Sequence, residues 1–470
     1  MHFFRTLSIL LVGNICLVSG QEARVTARDG AVQTSGLTAV ELPVTSARLV
    51  IEGPEGGIGG MASPAKPVLI KGQLEAPLAG HGSLMFWFRA DQTYRSGSGQ
   101  TTTSQKLIEL PGVVTVSFET EKEMITILVQ WAGADDAVKG RPIRIQLPEF
   151  PGAEWHHFAL RWNGANGEND AFLDGTEYFL AGGKRNPWPV PEAQSLEIHV
   201  GRIAMADVRV SAKSLSPGDL AGVTGKRQGA LDMLLGAKAL VPFSAKAQRG
   251  KLLYQNALAV KGDITDWKLE GPGILDFADG WMQMRSERPD AKDGHFVLWC
   301  PREFPGNFQA EWDVEILGEN GLCIVFFAAR GKDNRDIFDP ALAPRNGIFK
   351  QYTQGEMDCY HISYYANSPD SPRPVANLRK NHGFYLVANG PVGIQPTEQG
   401  KGRTHHAVLL KEGSRIRMAV DGRTISDFTD DGLRAGPVLN DGKIGLRQMS
   451  WTVARYRDFR VYAVDKPAAD

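Results

Sequence analysis

The sequence contains the same hairpin pattern twice. EWHHFALRWNG at 154–164 is followed by AFLDG at 171–175, and THHAVLLKEGSRIRMAVDG at 404–422 repeats the paired histidines, the hairpin and the final Asp-Gly. Apolar and polar residues that alternate between turn residues are typical of β-strands, and Asp-Gly is typical of a type I′ turn. A closing strand follows each copy, ADVRV at 206–210 and RDFRVYAV at 457–464. The repeat predicts an all-β protein of two tandem antiparallel β-sandwiches.

The length and charge of the chain limit its organisation and its partners. With 470 residues it is too long for one ordinary hydrophobic core, so at least two domains are expected. Its 52 Lys and Arg residues balance 53 Asp and Glu residues, for a net charge of -1. This balance provides no basic surface for nucleic acid or an anionic membrane. We therefore expect neither as a partner, and the sequence leaves the oligomeric state open.

The first twenty residues have the pattern of a secretory signal peptide. Arg5 precedes an apolar stretch from Leu7 to Val18, and small residues stand before Gln21. The stretch is short for a membrane span, and no comparable run follows it. We predict that residues 1–20 are cleaved and that the protein is secreted, to the periplasm or outside the cell, without membrane insertion.

The cysteines of the mature chain do not form a recognisable framework. Cys300, Cys323 and Cys359 are odd in number and widely spaced, so we expect buried free thiols and no disulfide. No CxxC or HExxH pattern indicates a metal site, and we predict no cofactor. Calcium is frequent in sandwiches of this type, but no cluster of Asp and Asn residues is specific enough to assign it.

The strand pattern is interrupted once in the middle of the chain. Alternation is lost from about Ser214 to Lys251, where RQGALDMLLGAKALV at 227–241 has helical character. The expected organisation is a signal peptide over 1–20, a first sandwich over 21–224, a linker with helical character over 225–249, a second sandwich over 250–465 and a tail over 466–470.

The first unit carries strand motifs of a known fold. These are FWFRA at 86–90, WHHFALRW at 155–162, FLDG at 172–175 and DVRV at 207–210. With them the unit resembles the laminin G-like, concanavalin A-type jelly roll. The resemblance implies the fold and no particular ligand, since such domains bind glycans, act as spacers or bind other proteins.

The second unit carries a longer series of motifs. They run in order along nearly the whole unit: HFVLWCPREFP (295–305), GLCIVFFAARG (321–331), DIFDP (336–340), HISYY (361–365), NLRK (377–380), GF (383–384), DDG (430–432), GPVL (436–439), GKIGLRQM (442–449) and YRDF (456–459). With them the unit resembles the YesU-like proteins, a family of unknown function with a concanavalin A-like sandwich. The resemblance implies a role in the use of plant or algal polysaccharide, including rhamnogalacturonan, without an established reaction.

One strand carries three regularly spaced acids. In QAEWDVEI at 309–316, Glu311, Asp313 and Glu315 alternate with apolar residues, so the three carboxylates share one strand face. Two carboxylates about 5 Å apart are what a retaining glycoside hydrolase needs. The same pattern is typical of any strand with a solvent-facing side, and we favour that interpretation.

Polar residues inside the family motifs are stronger candidates for the site. Alternation in HISYY predicts His361, Ser363 and Tyr365 on one face and Tyr364 on the other. A guanidinium group matches a uronate carboxylate, and His361 or a tyrosine would remove the neighbouring proton in a β-elimination. The predicted catalytic residues are His361, Arg379, Tyr364 and Arg447. The predicted substrate-binding residues are Asn377, Lys380, Ser363, Tyr365, Gln448 and Trp188, the last as an exposed aromatic platform on a proline-rich loop.

Three functions fit this sequence. The first is an enzyme that degrades polysaccharide, either a lyase or a glycoside hydrolase; a hydrolase would use Asp336 and Asp339, or Asp430 and Asp431. The second is a glycan-binding protein without activity, in which aromatic residues dominate affinity. The third is a cell-surface interaction protein, whose stability no glycan changes. In the first two cases the partner is a polysaccharide or oligosaccharide.

Overall fold

The computed structural model describes residues 22–28, 31–41, 68–78, 80–100, 102–132, 142–177, 187–216, 218–219, 242–243, 249–318, 320–367, 375–395 and 402–464. The predicted signal peptide, the helical character of 227–241 and the tail over 466–470 lie outside the described residues. Within the described part no helix is long and apolar enough to cross a membrane.

The first half of the chain forms two antiparallel sheets of seven strands each. The strands are β1 (Glu22–Arg28), β2 (Ala31–Ser35), β3 (Leu37–Glu41), β4 (Val68–Leu78), β5 (His81–Ala90), β6 (Tyr94–Arg95), β7 (Thr103–Leu110), β8 (Val114–Thr120), β9 (Ile125–Trp131), β10 (Ile143–Leu147), β11 (Glu149–Phe150), β12 (His156–Asn163), β13 (Glu168–Leu173), β14 (Thr176–Glu177), β15 (Ala193–Val200) and β16 (Ile203–Ser211). The two sheets have the orders β14-β13-β12-β5-β16-β1-β2 and β10-β9-β8-β7-β15-β4-β3, and β11 pairs with β6.

The second half repeats this architecture with β17 (Leu252–Asn256), β18 (Lys268–Glu270), β19 (Gly273–Ala278), β20 (Trp281–Ser286), β21 (Phe296–Phe304), β22 (Asn307–Ile316), β23 (Gly321–Gly331), β24 (Met357–Asn367), β25 (Val375–Asn381), β26 (Tyr385–Pro391), β27 (His405–Glu412), β28 (Arg415–Val420), β29 (Arg423–Thr429), β30 (Gly442–Gln448) and β31 (Ala454–Ala463). The β22 sheet has the order β19-β20-β31-β22-β27-β28-β29, with β17 paired to β31, and the β24 sheet has the order β18-β21-β30-β23-β24-β25-β26. Helix α1 (Phe349–Thr353) and two 3₁₀ turns, Lys261–Ile264 and Lys332–Asn334, complete this half. The prediction of two tandem antiparallel sandwiches is confirmed.

Each sandwich buries one alternating set of side chains between its two sheets. In β12 the buried set includes Phe158, Leu160 and Trp162. In β22 the set includes Trp312 and Val314. Burial of large side chains of this kind contributes about 1.5–3 kcal/mol per residue, so the alternation fixes which face of each strand points inward.

The sequence repeat corresponds to a contact between a histidine and a turn aspartate that is present in both halves. His156 Nδ1 lies 2.8 Å from a carboxylate oxygen of Asp174, and His405 Nδ1 lies 2.8 Å from one of Asp421. Each aspartate precedes a glycine, and both residues of each pair have a positive φ, 49° and 80° in the first pair and 51° and 76° in the second. These values are those of a type I′ turn, in which glycine adopts a positive φ without steric cost. The repeated histidine therefore holds the hairpin turn.

The two sandwiches contact each other along the edge of the β24 sheet. The backbone N–H of Leu386 in β26 donates to Glu123 O at 2.9 Å, and that of Ala435 donates to Gly97 O at 3.2 Å. The Ser96 hydroxyl also donates to Leu386 O. The first sandwich thus lies directly beside the strands that carry several predicted site residues.

Candidate functional site

Several predicted site residues share one face of the β24 sheet. His361 in β24 pairs directly with Arg379 in β25 and, on its other side, with Phe326 in β23. Their chain neighbours Ile362 and Leu378 belong to the core between the sheets, so His361 and Arg379 point away from it. We call this outward side the His361 face.

Arg447 lies on the same face two strands away. It pairs with Ile324 of β23, which in turn pairs with Ser363 of β24, and Ser363 pairs with Asn377 of β25. The structure therefore brings five predicted residues, His361, Ser363, Asn377, Arg379 and Arg447, onto one side of four adjacent strands. The Ser363 hydroxyl accepts the Asn377 backbone N–H at 3.3 Å.

The imidazole of His361 is held by an amide and by aromatic rings. Asn381 Nδ2 lies 2.9 Å from His361 Nδ1 and also donates to the Cys359 thiol at 3.3 Å. The ring packs edge-on against Phe326, with 5.4 Å between centroids, and lies against Phe384 at 5.8 Å with the two rings tilted by 30°. With Asn381 as the donor, the neutral imidazole carries its proton on Nε2.

The guanidinium of Arg379 is fixed from two sides. It lies 3.8 Å above the Phe384 ring, and its Nη1 donates to Phe384 O at 3.0 Å. Its Nη2 donates at 3.4 Å to Oε1 of Gln146, a residue of the first sandwich. Phe384 has a φ of 62°, a conformation that bulky residues rarely adopt, and this places both its ring and its carbonyl against the arginine.

Arg447 is a fully buried cation with incomplete hydrogen bonding. Its Nη2 donates to Gly347 O at 3.1 Å, and its guanidinium lies 4.6 Å from the centre of the Tyr352 ring. Nε and Nη1 are buried and have no hydrogen-bond partner among the described residues. Burial lowers the pKa of Arg447 to about 10, so the group stays charged at neutral pH. Two unpartnered donors on a buried cation are the arrangement that an anionic ligand would complete.

A segment anchored by one carboxylate covers the Arg447 end of the His361 face. Glu270 accepts hydrogen bonds from Trp299 Nε1 at 3.0 Å, from the Tyr352 hydroxyl at 2.9 Å and from Arg345 at 2.8 Å. Both Glu270 and Arg345 are buried. Because Arg345 precedes α1 and Tyr352 lies within it, Glu270 holds this helix against the sheet.

Replacing Glu270 with glutamine is expected to destabilise the second sandwich by about 2 kcal/mol, because buried Arg345 loses its counter-charge. Limited proteolysis should then cut residues 332–356 faster, and urea unfolding should show the loss of stability. Glu287→Gln is the matched control, since Glu287 is exposed on the surface of the same sandwich. Equal stability of the two variants would show that Glu270 does not anchor the segment.

The structure places other predicted residues away from this face. Tyr364 and Tyr365 belong to the core between the sheets, and Gln448 donates there to the Tyr456 hydroxyl at 3.0 Å. The register between β23 and β24 shifts at Cys323, which breaks the alternation that we expected for HISYY and turns Tyr365 inward. Burial raises the pKa of Tyr364 well above its usual value, so this phenol cannot serve as a base.

Lys380 and Trp188 form contacts elsewhere in the protein. Lys380 Nζ forms a buried ion pair with Asp430 at 2.7 Å and donates to Gly436 O at 2.6 Å. Trp188 is half-buried in the first sandwich and packs edge-on against Trp131, with 5.6 Å between ring centroids. Neither residue lies on the His361 face, and Trp188 is not the exposed platform that we expected.

The three acids of the strand QAEWDVEI are all engaged in ion pairs. Glu311 is buried and forms a two-point ion pair with Arg249, at 2.6 and 2.5 Å, while Asp313 binds His406 at 2.8 Å and Glu315 binds Arg455 at 2.6 Å. The apolar residues of this strand face the core, while the basic partners of its acids are partly exposed, so it is an amphipathic strand that carries ion pairs on its solvent side, as favoured from the sequence. Burial raises the pKa of Glu311, but hydrogen bonds from His406, Arg249 and Gln309 outweigh it and bring the pKa down to about 2. Such a group cannot act as a general acid.

The carboxylates considered for a hydrolase are also engaged. Asp336 caps the Phe338 N–H at 2.8 Å and pairs with Lys443 at 2.9 Å. Asp430 binds Lys380, and Asp431 accepts the Leu433 N–H at 2.9 Å. These contacts stabilise turns and are typical of Asp in such positions.

One group of residues within the described part has the spacing of metal ligands. Glu109, Glu197 and His199 bring ligand atoms within 4.8 Å of one another on the first sandwich. Lys71 pairs with Glu197 at 2.9 Å, and Lys106 pairs with Glu109. The two ammonium groups already supply the positive charge that a metal would bring, so the group is an ion-pair cluster in this structure.

Sequence reasoning missed several residues of the His361 face. Asn381 directly follows NLRK and lies two residues after Arg379, so strand alternation predicts that both residues lie on the same face. Phe384 lies within the GF motif but was read only as a family marker. For Gln146 and Glu270 the sequence gives no signal, because their partners are distant in the chain.

The second sandwich matches known proteins closely enough to assign a family. The profile described as "Domain of unknown function (DUF1961)" matches residues 251–461. The "Uncharacterized protein YesU" of Bacillus subtilis (strain 168) is 37% identical over 217 residues, which are 46% of this chain and 97% of that protein. The chain belongs to the DUF1961 family. The predicted YesU-like character of the second half is thereby confirmed.

Three of the solved structures that are similar to parts of this DUF1961 protein are described by sequence identity, coverage and TM-score. A B. subtilis protein of unknown function with a galectin-like fold is 34% identical, covers 47% of this chain and 99% of its own, and has a TM-score of 0.43. The carbohydrate-binding module CBM66 of B. subtilis is 15% identical, with coverages of 42% and 96% and a TM-score of 0.28. The lumenal domain of VIP36, in a Ca2+/Man3GlcNAc-bound form, is 10% identical, with coverages of 47% and 93% and a TM-score of 0.32.

Proposed function

We propose that this protein is an exported carbohydrate-active protein that binds a uronate-containing polysaccharide on the His361 face and cleaves it by β-elimination. The observation that carries the proposal is Arg447, a buried guanidinium with two unpartnered nitrogens on the same face as the His361–Arg379 pair. Guanidinium groups bind carboxylates with two parallel hydrogen bonds, so Arg447 and Arg379 suit the acid group of a uronate.

The chemistry requires a base next to that carboxylate. Pairing with arginine neutralises the carboxylate and makes the neighbouring carbon–hydrogen bond more acidic. With Asn381 donating to Nδ1, His361 Nε2 holds a proton and cannot accept another. A half-turn of the Asn381 amide reverses this, since Oδ1 would accept the Nδ1 proton and leave Nε2 basic. This rotation would also give Asn381 Oδ1 a partner, which it lacks among the described residues.

His361 alone would then manage the proton. Nε2 takes the proton from the carbon beside the carboxylate, the bond to the leaving glycosidic oxygen breaks, and a carbon–carbon double bond forms. The imidazolium returns the proton to the leaving oxygen. No tyrosine is needed, which agrees with the inward position of Tyr364.

Access to the pair passes an aromatic contact. Phe349 of α1 and Phe384 meet edge-on with 4.9 Å between their ring centroids, and both are partly exposed. His361 and Arg379 beneath them are only 3% and 2% exposed. A polysaccharide would therefore have to part these two rings, whose faces could then pack against sugar rings.

The test uses the full-length protein with pectic, algal and neutral polysaccharides. We expect new reducing ends together with the ultraviolet absorbance of unsaturated uronates, and His361→Ala should lower the rate at least about 100-fold. His81→Ala is the control, because His81 is exposed on the first sandwich. New ends without the absorbance would replace the lyase with a hydrolase. Thermal stabilisation by one glycan without cleavage would establish a binding protein instead.

A further inference from the structure

The edge of the His361 face is formed by the first sandwich. Strand β26 ends the β24 sheet and β10 ends a sheet of the first sandwich, so both are edge strands. Across this junction Asn389 Nδ2 donates to Gln146 O at 2.9 Å, while Arg379 Nη2 donates to Gln146 Oε1 at 3.4 Å. One residue of β10 thus binds both β26 and a predicted site arginine.

We infer that the two sandwiches form one composite site, in which Gln146 of the first sandwich is a positioning residue for Arg379. Gln146 Oε1 and Phe384 O both accept from this guanidinium, one from each sandwich, and these contacts fix the direction in which it points. A guanidinium held in one orientation offers an anionic ligand a defined geometry. The consequence for glycan binding rests on the proposed function, whereas the contact across the junction does not.

The composite site distinguishes this chain from its single-sandwich relative. The family profile covers 251–461, and the match to YesU takes up 97% of that protein. Gln146 therefore lies outside the part of the chain that the family shares. We expect the first sandwich to limit how an acidic glycan lies across Arg379, and not to act as a separate targeting module.

A first experiment needs no glycan. In Gln146→Ala, backbone amides of residues 375–391 should exchange hydrogen about threefold faster than in the wild type, as expected for the loss of a weak hydrogen bond. Arg144→Ala is the matched control, because Arg144 is exposed two residues away in β10 and interacts with Glu119 of its own sandwich. Unchanged exchange in Gln146→Ala, or an equal increase in Arg144→Ala, would overturn the inference.

A second experiment separates positioning from simple structural support. The carboxylate of Gln146→Glu would pair with Arg379, so binding of polygalacturonate should weaken about tenfold, while binding of its methyl ester changes little. An equal loss for both polymers, or no loss, would contradict a positioning role. A wild-type protein that binds neither polymer would end the proposed function, and the exchange result alone would then decide the inference.

Discussion

Replacing Arg447 with methionine is expected to abolish glycan binding while leaving the protein as stable as the wild type or more stable. Two nitrogens of this fully buried cation have no hydrogen-bond partner among the described residues, and we expect its bond to Gly347 O and its contact with the Tyr352 ring to offset only part of the desolvation cost. Methionine fills similar space among Tyr352 and its aromatic neighbours without that cost. Affinity for a uronate polymer should fall at least about 100-fold, because the central carboxylate partner is lost. Calorimetric titration and thermal unfolding measure the two quantities.

The matched control for Arg447 is another arginine of the same sandwich. Arg455 pairs with Glu315 on the β22 sheet at 2.6 Å, so Arg455→Met should lower stability and leave glycan affinity unchanged. Loss of affinity without loss of stability in Arg447→Met, and the reverse in Arg455→Met, would identify Arg447 as ligand-binding and Arg455 as structural. If Arg447→Met loses stability and retains affinity, Arg447 only supports the α1 segment.

Replacing Glu311 with glutamine is expected to cost about 3 kcal/mol of unfolding free energy at pH 7. The pKa of Glu311 falls to about 2 in the folded protein from an ordinary value near 4.5, so the folded state favours the charged form. The variant also leaves the Arg249 guanidinium without its two-point partner. Urea unfolding followed by tryptophan fluorescence measures the change.

The pH dependence follows from the direction of this shift. A lowered carboxyl pKa stabilises the folded protein above about pH 4.5, and the stabilisation is lost as the pH falls towards 2. The wild type and Glu311→Gln should therefore converge in stability over that range. Asp276→Asn is the control, because Asp276 and Arg285 form an exposed pair at 2.9 Å worth at most about 0.5 kcal/mol. A constant difference between wild type and Glu311→Gln from pH 7 to pH 2 would refute the assigned pKa.

Glu311 also explains the strand that the sequence left ambiguous. Alternation placed its three acids on one face, and this was correct. Whether the face meets solvent, substrate or counter-charges depends on Arg249, His406 and Arg455, which come from just before the second sandwich, from β27 and from β31. His406 and Arg455 lie beside β22 because β27 and β31 are its neighbours in the sheet.

The sequence by itself determined the architecture and several residues of the His361 face. Strand alternation, the repeated His-Asp-Gly hairpin and the family motifs are local, because they depend on side-chain parity and turn conformation. His361, Arg379 and Arg447 were selected because they are polar residues within the family motifs.

Only the tertiary structure decided which of the selected residues form a site. The register shift at Cys323 turned Tyr365 into the core, since a single bulged residue reverses every side chain beyond it. The hydrogen bond from Arg379 to Gln146 joins residues from different sandwiches, and the Glu270 anchor joins β18 to α1. Such contacts depend on how separate sheets and segments pack together, and no local pattern in the chain encodes that packing.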